Sequence, residues 1–135
     1  IAGGGEPYRQ RMGMAPAHPF RAAPPERFTL TVWAVVLPAR GYQTAHMHPD
    51  AWLSGVYYAQ VPAVAETKGH DGWIAFAETA AMLDGTPDTL QEKGARLIRP
   101  EEGLMVLFPS YFYHGTIPFE TDETRVSVAF DLMPA

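Results

Sequence analysis

Short apolar runs recur along the chain from Phe28 onwards, and clusters of turn-forming residues separate them. The runs are rich in Val, Ile, Tyr, Phe, Trp and Thr, which suit a pleated, half-buried surface. Turns at such short intervals are typical of a sandwich or barrel. The pattern therefore predicts an all-β domain. Its predicted strands are Phe28–Leu37, Gln43–His48, Leu53–Gln60, Trp73–Ala77, Ala95–Ile98, Leu104–Phe108 and Arg125–Leu132.

The segments outside these strands divide the chain into two units. Residues 1–27 are rich in Gly, Pro, Ala and Arg, which break any periodicity, so we expect an irregular N-terminal arm or linker. Residues 28–135 form the predicted β domain. Within it, Thr79–Leu83 is compatible with a short helical turn, and Asp84–Gly94 is predicted to be a loop.

Composition narrows the class of protein. A chain of 135 residues with 47% hydrophobic and 19% charged residues suits one globular domain with a core. Its net charge of -5, with no basic stripe, argues against a nucleic-acid partner. No segment approaches the roughly 18 apolar residues of a membrane span. The absence of cysteine excludes thiolate metal sites and disulfides, so we expect a cytoplasmic protein.

The pair of histidines in His46-Met47-His48 is the most informative polar pattern. Side chains at i and i+2 of a strand point to the same face, and neutral imidazole is the commonest metal ligand. Alone, the pair is equally compatible with two surface histidines. His114 follows the predicted strand Leu104–Phe108 and a turn, where it would lie near a barrel mouth. Three imidazoles so placed would form a facial metal site that leaves positions open for substrate or O2.

The strand that begins at Arg125 supplies a fourth element. Period-two alternation places Arg125, Ser127, Ala129 and Asp131 on one face. If this face lines the barrel, the Arg125 guanidinium points into the pocket, where its fork matches a carboxylate. In the alternative, Arg125 lies on the rim and pairs with a neighbouring acid. The acids in question are Glu120, Asp122 and Glu123.

Six motifs follow one another along the part of the chain from residue 28 to residue 134. They are His46-x-His48-Pro49, Trp52-Leu53-Ser54-Gly55-Val56-Tyr57-Tyr58, Gly72-Trp73-Ile74-Ala75-Phe76, Pro100-x-x-Gly103-x-x-x-x-Phe108-Pro109-Ser110, His114-Gly115-x-x-Pro118 and Glu123-x-Arg125-Val126-Ser127-Val128-Ala129-Phe130. In order and composition they resemble the bacterial 2-oxoglutarate/Fe(II) oxygenases, some of which follow tetratricopeptide repeats. The resemblance implies a double-stranded β-helix, or jelly roll, with Fe(II) near its mouth.

The resemblance also implies ligand roles. His46 corresponds to the first iron ligand and His114 to the distal one. His48 stands where the wider superfamily has Asp or Glu, although the closer family is similar to this chain in having His there. An alternative register makes His48 and Asp50 the ligand pair. We favour His46 and His48, because Pro49 and Asp50 resemble the turn that leaves the strand.

The co-substrate roles follow in the same way. Arg125 corresponds to the arginine that grips the distal carboxylate of 2-oxoglutarate, and Ser127 to the serine of an Arg-x-Ser pair. We expect the Tyr58 hydroxyl to reach the same carboxylate, with cross-strand packing as its alternative. The candidate substrate-pocket residues are Trp52, Ser54, Tyr111 and Tyr113. The implied reaction couples oxidative decarboxylation of 2-oxoglutarate to hydroxylation of a small-molecule or peptide substrate.

Two other functions compete with this interpretation. A cupin-type metalloprotein shares the barrel and the spacing of Gly41 and Gly103, but its usual glutamate is absent from residues 51–53, and it gives Arg125 no role. A non-catalytic barrel would use the aromatic run Tyr111–Tyr113 to bind a carbohydrate or peptide. Three imidazoles would also bind Zn, Ni or Cu. An exposed jelly-roll edge is compatible with a homodimer.

Overall fold

The computed structural model describes residues 24–66 and 69–135. The strands are β1 (Phe28–Leu37), β2 (Leu53–Gln60), β3 (Ile74–Ala77), β4 (Arg96–Ile98), β5 (Met105–Pro109), β6 (Tyr113–Thr116) and β7 (Arg125–Pro134). The helical segments are α1 (Pro87–Glu92) and the 3₁₀ helices Ala63–Glu66 and Ala80–Leu83. The predicted arm lies almost wholly outside the described residues.

The strands form two antiparallel sheets. One sheet has the order β1-β7-β2-β5 and the other has the order β4-β3-β6. The last strand, β7, pairs with β1 on one side and with β2 on the other, so it lies in the middle of the larger sheet. This arrangement is a double-stranded β-helix, and the predicted all-β jelly roll is confirmed.

The space between the sheets is filled from both sides. Val56 and Tyr58 of β2 and Phe108 of β5 pack with Ile74 and Phe76 of β3 in one buried cluster. Because directly opposed residues of an antiparallel pair share a face, the residues that β7 places opposite Val56 and Tyr58 also face this interior. These residues are Ala129 and Ser127. The face of β7 that carries Arg125 and Asp131 is therefore the interior face.

The opposite, outer face of the larger sheet has its own apolar cluster. Phe130, which is 1% exposed, packs there with Leu53 and Leu132. Its ring lies against Gly55 on the neighbouring strand, where a β-carbon would overlap the ring. The glycine allows this close approach, and the cluster anchors the central strands β2 and β7 to each other.

The regular strands were largely predicted from sequence. The bounds of β1 and β2 agree with the structure, and those of β3, β4, β5 and β7 differ by one or two residues. Gln43–His48, however, is not a strand: only His46 bridges to another segment, at His114. Hydrogen bonds on either side, from Thr116 N to Gln43 O and from His48 N to Ser110 O, are out of register with that bridge. A continuous ladder therefore cannot form.

Among the strands and the α-helix, two elements were missed. The four-residue strand β6 is not among the predicted strands, and His114-Gly115 interrupts the apolar pattern there. The helix α1 lies within the predicted loop Asp84–Gly94, so that prediction was wrong. Its sequence signal is nonetheless visible, because Thr86 is the N-cap and Pro87 occupies the first turn.

We predict that Gly55→Ala destabilises the protein by about 1–3 kcal/mol, because the added methyl group must displace the Phe130 ring or the nearby Leu107 side chain. The measurement is the free energy of urea unfolding. Phe130→Leu shortens the side chain that collides, so the double variant should lose less stability than the sum of the two single changes. Strict additivity would contradict the assigned contact.

Candidate metal centre

His46, His48 and His114 converge in the structure. One ring nitrogen from each lies within 4.8 Å of the other two. The ring centroids are 5.3 Å apart for His46 and His48, 4.3 Å for His46 and His114, and 5.1 Å for His48 and His114. Main-chain hydrogen bonds fix this approach, because the amides of His46 and His114 each donate to the other's carbonyl, at 3.0 and 2.9 Å. The three side chains thus form a cluster suited to a cation.

Each of these imidazoles is held through Nδ1. The acceptor is the Thr44 carbonyl for His46, at 2.7 Å, and the Phe112 carbonyl for His114, at 3.2 Å. For His48 it is a carboxylate oxygen, Asp131 Oδ2, at 2.7 Å. A carbonyl or carboxylate oxygen can only accept, so each Nδ1 donates and Nε2 is the ring nitrogen that remains for a metal. Three imidazoles that offer Nε2 are a donor set that suits a transition metal.

His114 is the most enclosed of the three ligand candidates. Its ring centroid lies 4.7 Å from that of Phe108 and 6.0 Å from that of Phe76. Burial lowers the pKa of His114 to about 4, against the opposing effect of its hydrogen bond to the Phe112 carbonyl. At neutral pH this side chain is uncharged, which is the form that binds a metal.

Asp131 is the site residue that the sequence analysis missed. Its Oδ1 accepts a hydrogen bond from the Ser54 hydroxyl at 2.6 Å, while its Oδ2 accepts from His48. The alternation along β7 placed Asp131 on the same face as Arg125, and this was the available signal. The alternation did not indicate a role for Asp131, because nothing in the sequence shows that His48 reaches across to β7.

Arg125 lies deep in the interior, with 2% of its surface exposed. Its Nη1 donates to the Gly72 carbonyl at 2.9 Å and to Thr116 Oγ1 at 3.5 Å, and the guanidinium carbon lies 5.0 Å from the centroid of the Tyr58 ring. Arg125 Nε and the Tyr58 hydroxyl have no hydrogen-bond partner among the residues that the structure describes. Burial lowers the pKa of Arg125 and raises that of Tyr58.

The rim alternative for Arg125 is not what the structure shows. Glu120 pairs instead with Arg40 at 3.5 Å, and Glu123 accepts from the Ala63 amide at 2.9 Å. Within residues 24–66 and 69–135, no carboxylate forms an ion pair with Arg125. The guanidinium is thus a buried cation with no counter-ion among the described residues, and an anionic ligand would offset the cost of its burial.

The three histidines and the Arg125 guanidinium line the same cavity. Its walls include all three histidines together with Arg125, Ser127 and Ser54. Thr116, which accepts from Arg125, lies two residues beyond His114 on the buried face of β6, a separation of about 7 Å along a strand. A small molecule that filled this cavity would contact both the histidines and Arg125.

Other predicted site residues lie elsewhere. Trp52 packs with the outer cluster around Phe130. Tyr111 stacks on Phe112 with ring centroids 5.0 Å apart, and Tyr113 is opposite Ala77 in the smaller sheet. None of these three side chains lines the cavity beside the histidines. Their role as substrate-pocket residues stays a prediction.

Comparison with known proteins gives a consistent result. Residues 31–131 match the model of a family described as "Putative 2OG-Fe(II) oxygenase". None of the curated proteins matches the chain. Among the helices of residues 24–66 and 69–135, none has the length and apolar character needed to cross a membrane.

Several solved structures share the fold. A prolyl-4-hydroxylase from Pseudomonas putida is 19% identical with a TM-score of 0.53, and the match covers 78% of this chain and 53% of that one. A 2OG-Fe(II) oxygenase family protein from Burkholderia pseudomallei is 12% identical with a TM-score of 0.54, covering 81% and 47%. HygX from Streptomyces hygroscopicus, solved with iron bound, is 12% identical with a TM-score of 0.58, covering 96% and 68%. The chain spans about half the length of the first two proteins.

The enclosed His114 predicts a pH dependence of stability for the metal-free protein. Its pKa is about 4 in the folded state and about 6.5 in the unfolded state, so the unfolded state binds more protons between these values. The free energy of unfolding should therefore fall as the pH decreases from 6.5 to 4, by on the order of 3 kcal/mol. Urea unfolding in the presence of a chelator at pH 7.5, 6.0 and 4.5 measures this loss.

His114→Gln is the matched control, because glutamine stays neutral at every pH. Other titrating groups are common to both chains and cancel in the difference between their free energies of unfolding. The wild-type advantage over His114→Gln should shrink as the pH decreases through this window. A difference that stays constant from pH 7.5 to 4.5 would argue against the enclosed neutral imidazole.

Proposed function

This chain belongs to the 2OG-Fe(II) oxygenase family whose model it matches, and we propose that it is an Fe(II)- and 2-oxoglutarate-dependent dioxygenase that hydroxylates a small-molecule or peptide substrate. One observation carries the proposal. Three imidazoles whose Nδ1 atoms are already hydrogen-bonded line the same cavity as a buried arginine that has no counter-ion within the described part of the chain. The first is suited to a cation and the second to a carboxylate.

His46, His48 and His114 would hold the metal. Three neutral imidazoles accept several transition metals, and the choice of iron rests on the family and on the iron-bound state of the similar HygX structure. Three protein ligands would leave the metal accessible to a co-substrate and to O2. When bound, iron supplies the activation of O2 that side chains cannot provide.

Arg125 would hold the distal carboxylate of 2-oxoglutarate. A guanidinium buried without a counter-ion is costly, and a ligand carboxylate would satisfy it through two parallel hydrogen bonds. The free Nε and the free Tyr58 hydroxyl are two donors without acceptors at this end of the cavity. Ser127 lines the cavity at the next interior position of β7 and would complete the carboxylate site.

The two ends are joined by β6, since His114 belongs to the histidine cluster and Thr116, about 7 Å further along the strand, contacts Arg125. A short dicarboxylic acid would have a carboxylate site at one end and the metal ligands at the other. Val56, Ile74 and Phe108 form apolar walls between the ends. These walls would keep bulk water from the reacting centre and strengthen the electrostatic contacts made there.

We predict that the histidine cluster is required for metal binding. His46→Ala and His114→Ala each remove one of three ligands, so Fe(II) affinity under anaerobic conditions should fall by at least about 100-fold. His70→Ala is the control, because His70 lies outside the cluster. Wild-type protein that binds no Fe(II), or a loss of the same size in the control, would refute the metal site.

We predict that Arg125 is required for 2-oxoglutarate binding. Removing one partner of a buried charge pair costs about 2 kcal/mol or more, so Arg125→Ala should weaken anaerobic binding of 2-oxoglutarate to the Fe(II)-loaded protein by at least about 30-fold. The 2-oxoglutarate affinity of Arg125→Lys should lie between those of the wild type and Arg125→Ala, because lysine keeps the charge but loses the forked pair of donors. Isothermal titration calorimetry gives the affinities.

Arg99→Ala is the matched control for this experiment, because Arg99 is exposed and pairs with Glu101 on the surface. Its 2-oxoglutarate affinity should equal that of the wild type. Protein that binds Fe(II) but no 2-oxoglutarate would favour a cupin-type metalloprotein instead. Succinate formation from 2-oxoglutarate, measured with and without candidate substrates, then tests turnover.

A further inference from the structure

We propose that Asp131 is a positioning residue for the metal centre, and that it delivers through His48 the negative charge that a carboxylate ligand would otherwise bring to the metal. The inference rests on the proposed role of the three histidines as ligands. It goes beyond that role because it assigns a function to a residue outside the ligand set. It also explains how a histidine can stand at position 48.

Asp131 is held on both carboxylate oxygens. His48 Nδ1 donates to Oδ2 at 2.7 Å, and the Ser54 hydroxyl donates to Oδ1 at 2.6 Å. Asp131 lies on β7, directly opposite Ser54 of β2 and Thr31 of β1, so its main chain is paired on both sides. A carboxylate fixed in this way can orient a neighbouring ring rather than follow it.

The His48 ring is also restrained from its face. The Trp33 ring stacks against it with a centroid separation of 5.7 Å and an interplanar angle of 21°. Asp131 fixes the edge of the ring that carries Nδ1, and Trp33 limits its tilt. Because Nδ1 is engaged, Nε2 is the ring nitrogen of His48 that remains for a metal shared with His46 and His114. The two contacts therefore preset the direction of the Nε2 lone pair.

The acceptor of His48 differs in charge from those of the other two ligands. His46 and His114 donate to main-chain carbonyls, whereas His48 donates to a carboxylate. A carboxylate acceptor makes the imidazole a stronger donor to a metal. The side chains of His48 and Asp131 are only 16% and 12% exposed, so solvent screens this charge weakly.

The charge around the metal would then match that of the usual ligand set. Two histidines and one carboxylate bring one negative charge to a divalent ion. Three neutral histidines bring none, and the Asp131 carboxylate restores one from the far side of the His48 ring. The compensation acts through one specific hydrogen bond, so it should depend on the imidazole at position 48.

The first test is the metal affinity of Asp131→Asn. This change keeps the shape of the side chain and removes its charge, and we expect affinity for Fe(II), and for Co(II) as a spectroscopic probe, to fall by about 10–100-fold. Asp122→Asn is the matched control, because the same change is made at an exposed position. Urea unfolding of the metal-free chains separates a local effect on the centre from a loss of folding.

The second test asks whether the effect passes through His48. In a His48→Asp background the metal has a carboxylate ligand of its own, and the hydrogen bond to Asp131 is gone. Adding Asp131→Asn there should change metal affinity by less than about 3-fold. An Asp131→Asn effect of equal size in both backgrounds would overturn the proposal, since Asp131 would then act through folding or through distant charge.

A third measurement does not depend on the His48→Asp chain binding metal. In Co(II)-loaded protein, the three imidazole Nδ1 protons should give exchangeable, hyperfine-shifted NMR signals. In Asp131→Asn, the signal of the His48 proton should move or broaden. The signals of the His46 and His114 protons, which are hydrogen-bonded to the Thr44 and Phe112 carbonyls, should keep their positions. Three unchanged signals, with unchanged affinity, would refute the role of Asp131 while leaving the metal site intact. Wild-type protein that binds no metal would instead refute the proposed function itself.

Discussion

The two-residue period of β7 is the constraint on which the candidate site depends. Arg125, Ser127 and Asp131 face the interior only because Val126, Val128 and Phe130 face outward. A slip of one residue against β1 or β2 would exchange the two faces of β7 and turn Arg125, Ser127 and Asp131 away from the interior. The contact between the Phe130 ring and Gly55 helps to prevent such a slip, because a side chain at position 55 would leave no room for the ring. Apolar packing on the outer face thus sets the register that places the polar chemistry inside.

The buried polar groups fall into two sets, one whose hydrogen bonds are formed within the protein and one that keeps donors without acceptors. Asp131 has both oxygens bonded, to His48 and to Ser54, so its burial is compensated within the protein. Arg125 and Tyr58 are buried just as deeply, yet each keeps a donor without an acceptor. Such a deficit costs stability, and a protein keeps it where a ligand provides the missing partner. The position of the deficit therefore supports a carboxylate site at that end of the cavity.

The sequence predicted those parts of the molecule that depend on local pattern. β1 and β2 have long β-branched and aromatic runs, and their bounds agreed with the structure. Tyr113–Thr116 has no such run and becomes a strand because β3 and His46 pair with it. Pairing partners are set by tertiary contacts, which a propensity scale does not contain. The helix α1 was a different case, because its capping signal was present in the sequence and was overlooked.

The same distinction applies to the site. His46, His48, His114 and Arg125 belong to recognisable motifs, whereas Asp131 matters only through a contact between residues 83 positions apart. Together with Arg125, Asp131 gives the interior face of β7 charges of opposite sign towards its two ends. This face has a carboxylate that accepts from His48 near one end and a guanidinium beside the Tyr58 ring at the other, six residues apart. Each charge is opposite to that of the ligand expected beside it, a metal cation at one end and a carboxylate at the other. A single strand would therefore both stabilise the metal and orient the co-substrate.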